Sequence, residues 1–372
     1  MHKPDKHIRI IISGGGTGGH IFPALSIADE LKTKFSADIL FVGAEGRMEM
    51  EKVPQAGYPI KGLPVKGFSR KSMLRNFEVL TKLMKSLRMA RRIIKEYQPD
   101  VVVGVGGYAS GPVLWQANRL GIPTLIQEQN SYAGITNKLL AKKANKICVA
   151  YEGMHRYFPA EKIENLGNPI RPAVVNVNQY STPAARDFWR LNTDKKTVLV
   201  VGGSLGAGTI NTSLEKALSQ LNQNKQVQWI WQCGKYYYDG LQRRIGQQLA
   251  DHIKLMPFIS EMNQAYAAAD VIISRAGAGT LSELSVVGKP VVLVPSPNVA
   301  EDHQTKNAMA LVEKDAALWI PDNEAVEKLV PEVLNLLKDS DKQGKLASSV
   351  KKLAKPNAAT EIAKRVMNLI NK

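Results

Sequence analysis

The fold of this sequence is set by two stretches, Ile8-Arg9-Ile10-Ile11-Ile12-Ser13-Gly14-Gly15-Gly16-Thr17-Gly18-Gly19-His20 and Thr197-Val198-Leu199-Val200-Val201-Gly202-Gly203-Ser204-Leu205-Gly206-Ala207-Gly208. In each, an apolar run typical of a buried strand leads into glycines and then into a helical pattern. Glycine permits a tight turn and lets a phosphate approach main-chain N–H groups, while the following helix N-terminus carries partial positive charge. The pair predicts two similar halves that hold phosphorylated or diphosphate-bearing material in a cleft between them.

The 372-residue chain repeats this strand-then-helix order, which predicts an α/β fold with doubly wound parallel sheets. Its length suits two domains better than a single core. The strand-like runs are Ile8 to Ile12, Asp38 to Val42, Val101 to Val105, Thr124 to Gln127 and Lys146 to Val149 in the first half, and Thr197 to Val201, Val227 to Trp231, Ile253 to Met256, Val271 to Ile273 and Val291 to Val294 in the second.

The domain boundary is expected in or just after the segment Gly167-Asn168-Pro169-Ile170-Arg171-Pro172. Asn-Pro and Arg-Pro pairs are poor interiors for helices and strands, so the pattern is interrupted there. We expect residues 1–170 to form the first domain and residues 171–356 the second. A final helical pattern, 357–372, is expected to return to the first domain.

The charge of the chain is unusual: 50 Lys and Arg against 33 Asp and Glu give a net charge of +17. Eleven basic residues and one acid, Glu78, lie between Lys61 and Lys95, interleaved with apolar residues such as Phe68, Leu80 and Leu87. A second basic stretch runs from Lys342 to Lys372. A solvated helix face, nucleic acid and an anionic membrane surface all remain open. Basic residues mixed with apolar ones favour the membrane, and no nucleic-acid-binding motif is present.

Other features restrict the class of protein. No apolar run approaches the roughly 20 residues that span a bilayer, and no signal peptide is expected because Ile8 to Ile12 ends in glycines. Cys148 and Cys233 lie in or beside strand-like runs, so we expect buried, reduced thiols and a cytoplasmic protein.

Parallel sheets bind ligands at the carboxyl ends of their strands, which selects six loops expected to face the cleft. These loops are Gly14 to His20, Gly104 to Gly111, Gln127 to Asn130, Gly202 to Gly208, Ser274 to Glu283 and Pro295 to Gln304. Gly14 to Gly19 also matches the dinucleotide motif G-x-G-x-x-G, with Glu45 where a ribose carboxylate would stand, so an NAD(P) oxidoreductase is an alternative. That alternative leaves the second glycine loop unexplained.

Two of these loops carry candidate sugar and nucleotide ligands. In Ser274 to Glu283, small residues lead into a helix, and Glu283 about one turn in is suited to ribose hydroxyls, although such a glutamate also compensates a helix dipole. Glu301-Asp302-His303-Gln304 opens a later helix. Its acids are suited to capping, and Gln304 is suited to sugar hydroxyls.

Taken together, these motifs resemble the MurG family of bacterial enzymes, which add N-acetylglucosamine (GlcNAc) to lipid I to make lipid II. The resemblance runs in order from about residue 10 to about residue 310. The segments that carry it are Gly15 to His20, Gly106 to Pro112, Glu128 to Asn130 with Ala133-Gly134 and Thr136 to Lys138, Gly167 to Arg171, Gly202 to Ala207, Ser274 to Glu283 and Glu301 to Gln304. It implies a GT-B fold, two Rossmann-like domains facing a cleft, and inverting transfer from UDP-GlcNAc.

The resemblance also implies roles for individual residues. The second domain would bind UDP-GlcNAc: Ser204 and its loop the diphosphate, Ile259 the uracil edge, Glu283 the ribose and Gln304 the GlcNAc hydroxyls. Further substrate contacts are implied at the following positions: Thr17, Gly18, Gly19, Asn130, Arg171, Ala278, Gly279, Thr280, Leu281 and Ser282. Gln127 and His303 depart from the family pattern, so neither is expected to be essential.

The first domain is implied to face lipid I and the cytoplasmic side of the cell membrane. The reaction needs a base near the attacking hydroxyl and positive potential at the departing UDP. His20 is the first candidate for the base and Glu128 the second, although His20 is also suited to a hydrogen-bonding role at its helix start. No catalytic metal or cofactor is expected, because Asp339-Ser340-Asp341 is a D-x-D only formally.

Two other classes share part of this pattern. A UDP-GlcNAc 2-epimerase has the same fold and donor but does not need a basic, apolar surface. A non-enzymatic binder of lipid head groups needs that surface but not the nucleotide loops.

Overall fold

The structure is a computed structural model that describes residues 7–65, 73–170, 174, 179–203 and 205–370, without the side chains of residues 73–77 and 300. The chain divides into two compact units. The first consists of Met1–Ile170 and Pro356–Lys372, and the second of Arg171–Lys355.

The first unit is built on a sheet of seven described strands in the order β3-β2-β1-β4-β5-β6-β7, and every neighbouring pair is parallel. The strands are β1 (Arg9–Ser13), β2 (Asp38–Ala44), β3 (Ile60–Leu63), β4 (Val101–Gly104), β5 (Thr124–Glu128), β6 (Lys146–Val149) and β7 (Ile163–Asn165). Alternate side chains of β1 enter separate apolar clusters: Ile10 and Ile12 belong to one, and Ile11 to the other. Both faces of the sheet are therefore covered, as a parallel sheet requires.

Five helices of this unit follow its strands: α1 (Gly18–Phe35), α2 (Glu49–Gln55), α3 (Met73–Tyr97), α4 (Ser110–Arg119) and α5 (Ile135–Leu140). The chain's last described helix, Ala358–Ile370, also lies in this unit and packs on α1. Its residues Ile362 and Val366 share a core cluster with Ile27 of α1. The end of the chain thus completes the layer of helices over the first sheet.

The second unit repeats the design with a sheet of six described strands, in the order β10-β9-β8-β11-β12-β13, again parallel throughout. They are β8 (Lys196–Val201), β9 (Val227–Gln232), β10 (Ile253–Met256), β11 (Val271–Ser274), β12 (Val291–Leu293) and β13 (Leu318–Trp319). Its α-helices are Thr182–Phe188, Gly208–Lys216, Leu218–Gln223, Lys235–Ile245, Met262–Ala268, Ala278–Val287, His303–Val312, Ala325–Lys338 and Ser340–Lys352.

The strand order of each sheet reverses beside its first strand, between β1 and β4 in the first unit and between β8 and β11 in the second. Ligands of such sheets bind at the carboxyl ends of the strands at this point. The two glycine loops follow β1 and β8. The prediction of two doubly wound parallel sheets is therefore confirmed, and each glycine loop lies at the switch point of its own sheet. Among the described helices, none has the length and apolar character needed to cross a bilayer.

Candidate active site

The first glycine loop packs directly on the loop that follows β4. A Cβ on Gly14 would lie 2.7 Å from the carbonyl oxygen of Gly106, and one on Gly107 would lie 2.4 Å from that of Gly15. Gly107 also has a φ of +84°, a conformation that favours glycine. The two loops can approach each other this closely only because side chains are missing from both. This contact brings the start of α1 beside the start of α4.

His20 lies in the first turn of α1, where its ring is close to the Thr17 hydroxyl and to Gly106. Its Nδ1 is 3.2 Å from the hydroxyl oxygen of Thr17, and a Cβ on Gly106 would lie 3.0 Å from its Nε2. If Nδ1 carries the proton and donates to Thr17, Nε2 is left unprotonated. In that tautomer, Nε2 is the atom able to accept a proton from a substrate hydroxyl.

Glu128 ends β5 and organises the loop that follows it. One carboxylate oxygen accepts hydrogen bonds from the backbone N–H and the side-chain amide of Asn130, at 3.1 and 3.3 Å. The other accepts from the Gly134 N–H at 3.0 Å and the Asn137 amide at 2.8 Å. Only 2% of Glu128 is exposed. A buried carboxylate that already accepts four hydrogen bonds is better suited to shaping the loop than to taking a proton from substrate, so this geometry favours His20 as the base.

Gln127, the residue before Glu128, belongs to a buried network of hydrogen bonds. The side-chain amide of buried Gln127 donates to Asn168 at 2.9 Å, and Asn168 donates to the backbone carbonyl of Gln129 at 2.9 Å. Gln129 in turn donates to the carbonyl of Val105 at 2.8 Å. Gln127 therefore helps join three loops at the carboxyl edge of the first sheet. Arg171, which follows this segment, lies outside the described residues.

The second glycine loop shows the same close backbone packing. Gly206 has a φ of +86°, and a Cβ on it would lie 2.2 Å from the carbonyl oxygen of Cys233. Gln232 donates to the carbonyl of Gly203 at 2.8 Å, which fixes the loop from the end of β9. A Cβ on Gly203 would have no atom within 4 Å, so the space beside it is open. Ser204, the residue expected at the diphosphate, lies outside the described residues.

The helix Ala278–Val287 follows β11 after a short loop that ends in Gly277, its N-cap residue, and its first turn contains no acidic residue. Its positive N-terminal end is formed by the small residues Ala278, Gly279 and Thr280. Leu281 is buried, and the Ser282 hydroxyl donates to the carbonyl of Ala278 at 3.0 Å. The first turn therefore combines small side chains with the absence of an acidic residue, which suits a nearby anion.

Glu283 lies in the second turn of this helix and is 9% exposed. Its Oε2 accepts a hydrogen bond from the hydroxyl of Tyr266, at 3.2 Å. Tyr266 is buried and comes from the preceding helix, Met262–Ala268. This hydrogen bond fixes the direction of the carboxylate. Sequence reasoning missed Tyr266, because it lies 17 residues before Glu283 and belongs to no motif.

Gln304 and Arg275 join the loops at the carboxyl ends of β11 and β12. The side-chain oxygen of Gln304 accepts from the N–H groups of Ala276 and Ser296, at 3.2 and 2.9 Å. Its Nε2 is therefore the group it can offer to a sugar oxygen. Arg275 donates to the Val294 carbonyl at 2.9 Å and to the carboxylate of Asp322. The sequence predicted Gln304 as a site residue but did not single out Arg275 or Asp322.

Asp302, the N-cap residue of the helix His303–Val312, forms no side-chain hydrogen bond that caps this helix. Glu301 and Asp302 both have left-handed backbone conformations, with φ of 57° and 50°. Asp302 accepts from the hydroxyl of Thr305 at 2.7 Å, and no side-chain hydrogen bond caps the helix at that position. The expectation that these residues act as simple N-caps is not met at Asp302.

Ile259 follows β10 and has a buried side chain. Any contact between this residue and a nucleobase therefore has to come from its backbone. The neighbouring Phe258 is half-exposed, and the Lys235 ammonium lies 5.6 Å from its ring centre.

A mixed basic and apolar face lies on α3. Leu80, Met84, Arg88 and Arg91 are exposed and follow one side of the helix at intervals of four, four and three residues; we call these four residues the basic-apolar face. Trp115 of the neighbouring α4 is 43% exposed. The predicted patch residues Phe68, Arg70 and Lys71, and the side chain of Arg75, lie outside the described part of the chain. Lys82 forms an ion pair with Glu78 at 2.7 Å.

The remaining candidates have structural roles. Asp339 of the formal D-x-D caps the helix Ser340–Lys352 by accepting from the Lys342 N–H at 2.9 Å. In the described part of the chain, no group of three His, Cys, Asp or Glu residues is arranged to hold a metal ion. Cys148 and Cys233 are buried free thiols, and burial raises their pKa to about 12 and about 11. Such thiols are poor nucleophiles.

Comparison with protein families gives two matches that cover most of the chain. Residues 10–149 match the glycosyltransferase family 28 N-terminal domain, and residues 197–366 match the glycosyltransferase family 28 C-terminal domain. The boundary between the compact units at residue 170 falls in the gap between the two matches, and the second match extends beyond Lys355 into the C-terminal segment of the first unit.

Curated relatives resemble the chain along its whole length. Proteins from Parabacteroides distasonis and Bacteroides thetaiotaomicron are each 55% identical, over 98% of this chain and 99% and 98% of their own lengths. Both are named UDP-N-acetylglucosamine--N-acetylmuramyl-(pentapeptide) pyrophosphoryl-undecaprenol N-acetylglucosamine transferase.

Solved structures share the architecture. The crystal structure of Acinetobacter baumannii MurG has 28% identity and a TM-score of 0.78, over 97% of this chain and 99% of that one. A putative UDP-N-acetylglucosamine 2-epimerase from Listeria monocytogenes has 13% identity and a TM-score of 0.68, over 97% of this chain and 96% of that one. At 13% identity the second likeness concerns the fold alone.

Proposed function

Because the chain belongs to glycosyltransferase family 28, we propose that it moves GlcNAc from UDP-GlcNAc to the C4 hydroxyl of MurNAc in undecaprenyl-linked lipid I. The product is lipid II, used in peptidoglycan synthesis, and the enzyme is an inverting hexosyltransferase of GT-B fold. The observation that carries this conclusion is 55% identity, over nearly the full chain, to transferases named for this reaction. The resemblance to the MurG family seen in the sequence is thereby confirmed.

The second unit is proposed to bind the donor. Ser204 with its loop, and Ala278 to Ser282 at the start of their helix, take the diphosphate; the absence of an acid from that first turn supports this role. Glu283, oriented by Tyr266, accepts the ribose hydroxyls. The Nε2 of Gln304 serves the GlcNAc, and the backbone at Ile259 serves the uracil.

The first unit is proposed to supply the base and the lipid I site. The C4 hydroxyl attacks the anomeric carbon as the bond to the UDP oxygen breaks, and the hydroxyl proton passes to Nε2 of His20. The contact of Thr17 with Nδ1 supports this orientation of the ring. Thr17, Gly18, Gly19, Asn130 and Arg171 are proposed as further donor contacts.

The negative charge that develops on UDP has to be stabilised as the sugar departs. Preorganised N–H groups supply this most effectively, because they need no rearrangement during the reaction. The N-terminal turn of Ala278–Val287 and the backbone of the second glycine loop are the groups we assign to this task. The proposed mechanism uses no resident metal or cofactor.

The enzyme is proposed to act as a peripheral protein on the cytoplasmic face of the cell membrane, where the lipid tail of its acceptor resides. The exposed arginines and apolar side chains of the basic-apolar face suit an anionic membrane surface. No nucleic-acid partner is proposed. The other candidate functions are not favoured: the 2-epimerases share only the fold, and the NAD(P) motif explains one glycine loop of two.

The proposed activity is tested by incubating the full chain with UDP-GlcNAc and a short-chain lipid I analogue. We expect UDP release to depend on both compounds. A 2-epimerase would instead form UDP-ManNAc without acceptor, so nucleotide-sugar analysis of the acceptor-free reaction separates the two activities. Binding of the acceptor without any UDP release would indicate a lipid head-group binder.

A further inference from the structure

Glu49 is a buried carboxylate in α2 that belongs to none of the sequence motifs. Only 1% of the residue is exposed. Charged side chains are rarely buried to this extent unless they are paired or hydrogen-bonded. The contacts of this carboxylate therefore indicate why it lies inside the first unit.

Both oxygens of Glu49 accept backbone hydrogen bonds. Oε2 accepts from the N–H of Gly16 in the first glycine loop at 2.8 Å, and Oε1 accepts from the N–H of Ala44 at the end of β2, at 3.0 Å. One carboxylate thus ties the glycine loop to the neighbouring strand. Hydrogen bonds to an ionised carboxylate are stronger than those to a neutral acceptor.

Two glycines make room for this side chain. A Cβ on Gly15 would lie 2.3 Å from the Glu49 carboxyl group, and a Cβ on Gly43 would lie 2.5 Å from its Cγ. The glycines of this loop are therefore needed in part to admit a carboxylate of the protein itself. This differs from the sequence expectation, in which they admit a phosphate.

The position of Glu49 restricts what the first glycine loop can bind. The N–H of Gly16 is already used, and a phosphate placed on it would meet the negative charge of Glu49 at close range. In the second unit, Gly202 and Gly206 donate instead to backbone carbonyls, those of Gln232 and Gly203. The two glycine loops, similar in sequence, therefore differ in the described partners of their backbone N–H groups: a carboxylate is among those of the first, and carbonyls are those of the second.

We propose that Glu49 is a positioning residue for transfer. By holding Gly16, it fixes the residues that follow, Thr17 and His20, and keeps the His20 ring in the orientation required of the base. This rests on the proposed function, and specifically on His20 as the base. The first loop orients the base, and the donor diphosphate is held by the second unit.

The test compares Glu49→Gln with Glu51→Gln in the full chain. A carboxamide offers one acceptor oxygen to two N–H groups, so one of them loses its partner. Glu51 is the matched control because it lies on the same helix but is exposed, with Lys52 and Gln55 as its partners. The measurements are kcat and KM for UDP-GlcNAc with a short-chain lipid I analogue, and Kd for UDP by calorimetry.

For Glu49→Gln we expect kcat to fall by about tenfold or more, because small displacements of a catalytic group are costly. KM for UDP-GlcNAc and Kd for UDP should stay within about twofold of wild type. Glu51→Gln should match wild type in all three. A kcat for Glu49→Gln within about twofold of wild type would overturn the proposal. So would a rise of about tenfold in Kd for UDP, since Glu49 would then act mainly through the donor contacts proposed for Thr17, Gly18 and Gly19 and not through the base.

Gly43→Ala provides a second route if Glu49→Gln does not fold. Its added methyl group displaces Glu49 from the strand side and leaves the glycine loop unchanged in sequence. We expect the same fall in kcat with unchanged Kd for UDP, and unchanged kcat in a folded Gly43→Ala variant would contradict the proposal. Failure of the proposed function is distinguishable, because the wild-type chain itself would then release no UDP with the acceptor.

Discussion

Replacing Glu283 with Ala should weaken binding of UDP through the ribose. The carboxylate is nearly buried, and the Tyr266 hydroxyl holds its direction at 3.2 Å. A group fixed in this way reaches a ligand hydroxyl with little further loss of side-chain freedom. Its removal should therefore cost close to the full value of the hydrogen bonds to ribose.

The size of the effect follows from the charge of the acceptor. A hydrogen bond to a charged group contributes about 1.5 to 3 kcal/mol, which corresponds to an increase of about 10-fold to 100-fold in Kd for UDP. Tyr266→Phe keeps the carboxylate and removes only its orienting donor. We expect that variant to raise Kd by about two- to tenfold, the range for one ordinary hydrogen bond.

The assay is calorimetric titration with UDP and with an analogue that lacks both ribose hydroxyls. Wild type should bind the analogue about as poorly as Glu283→Ala binds UDP. In Glu283→Ala, the two ligands should bind with nearly equal affinity. The ribose assignment is refuted if Glu283→Ala binds UDP as wild type does, or if the variant still discriminates fully between the ligands.

Four further predictions follow from other contacts. His20→Ala should lower kcat about a hundredfold and leave Kd for UDP largely intact; a small loss there with a large one in Glu128→Ala would transfer the role of base to Glu128. Gln304→Ala should reduce the ratio of UDP-GlcNAc to UDP-GalNAc turnover while UDP still binds, and an unchanged ratio would remove Gln304 from the sugar site. Changing Arg88 and Arg91 of the basic-apolar face to Glu should reduce binding to anionic vesicles. It should also impair activity on a long-chain acceptor more than activity on a short-chain one. Equal losses on both acceptors would contradict a role of this face in membrane docking. Burial raises the pKa of Glu164, but hydrogen bonds from Lys146 and Arg365 outweigh this effect and leave the pKa below its ordinary value of 4.5. The stabilisation that the Glu164 carboxylate provides is present above the unfolded pKa and lost as pH falls through the folded pKa. The Tm difference between wild type and Glu164→Gln should therefore be full at pH 7 and shrink below about pH 4.5. A Tm difference independent of pH would refute a contribution from the ionised carboxylate.

The sequence predicted the parallel sheets because their central strands are buried on both faces. Runs such as Ile10 to Ile12 and Val101 to Val103 are therefore continuously apolar and easily recognised. It did not predict β3 (Ile60–Leu63) or β13 (Leu318–Trp319), because these edge strands are short and their exposed positions weaken the pattern. It also missed α2, which is short and contains Pro54.

The candidate site was predictable only where its residues lie in motifs. Gly14 to His20 and Ala278 to Glu283 are contiguous, so spacing and resemblance identify them. The partners that fix these motifs come from elsewhere in the chain: Glu49 is 33 residues from Gly16, and Asp322 is 47 residues from Arg275. Such pairs arise because the carboxyl ends of parallel strands lie along one edge of a sheet: Gly16 and Glu49 follow the neighbouring strands β1 and β2, whereas Arg275 and Asp322 follow β11 and β13, which β12 separates. A local sequence pattern contains no information about these distant partners.

The central claim is tested most directly by the product of a reaction between UDP-GlcNAc and a short-chain lipid I analogue. The account predicts one GlcNAc-MurNAc disaccharide for each UDP released, with the new bond at the C4 hydroxyl of MurNAc. The anomeric configuration of the GlcNAc, measured by NMR coupling constants, should be β and therefore inverted relative to the donor. A retained α configuration, or UDP release without this disaccharide, would contradict the account.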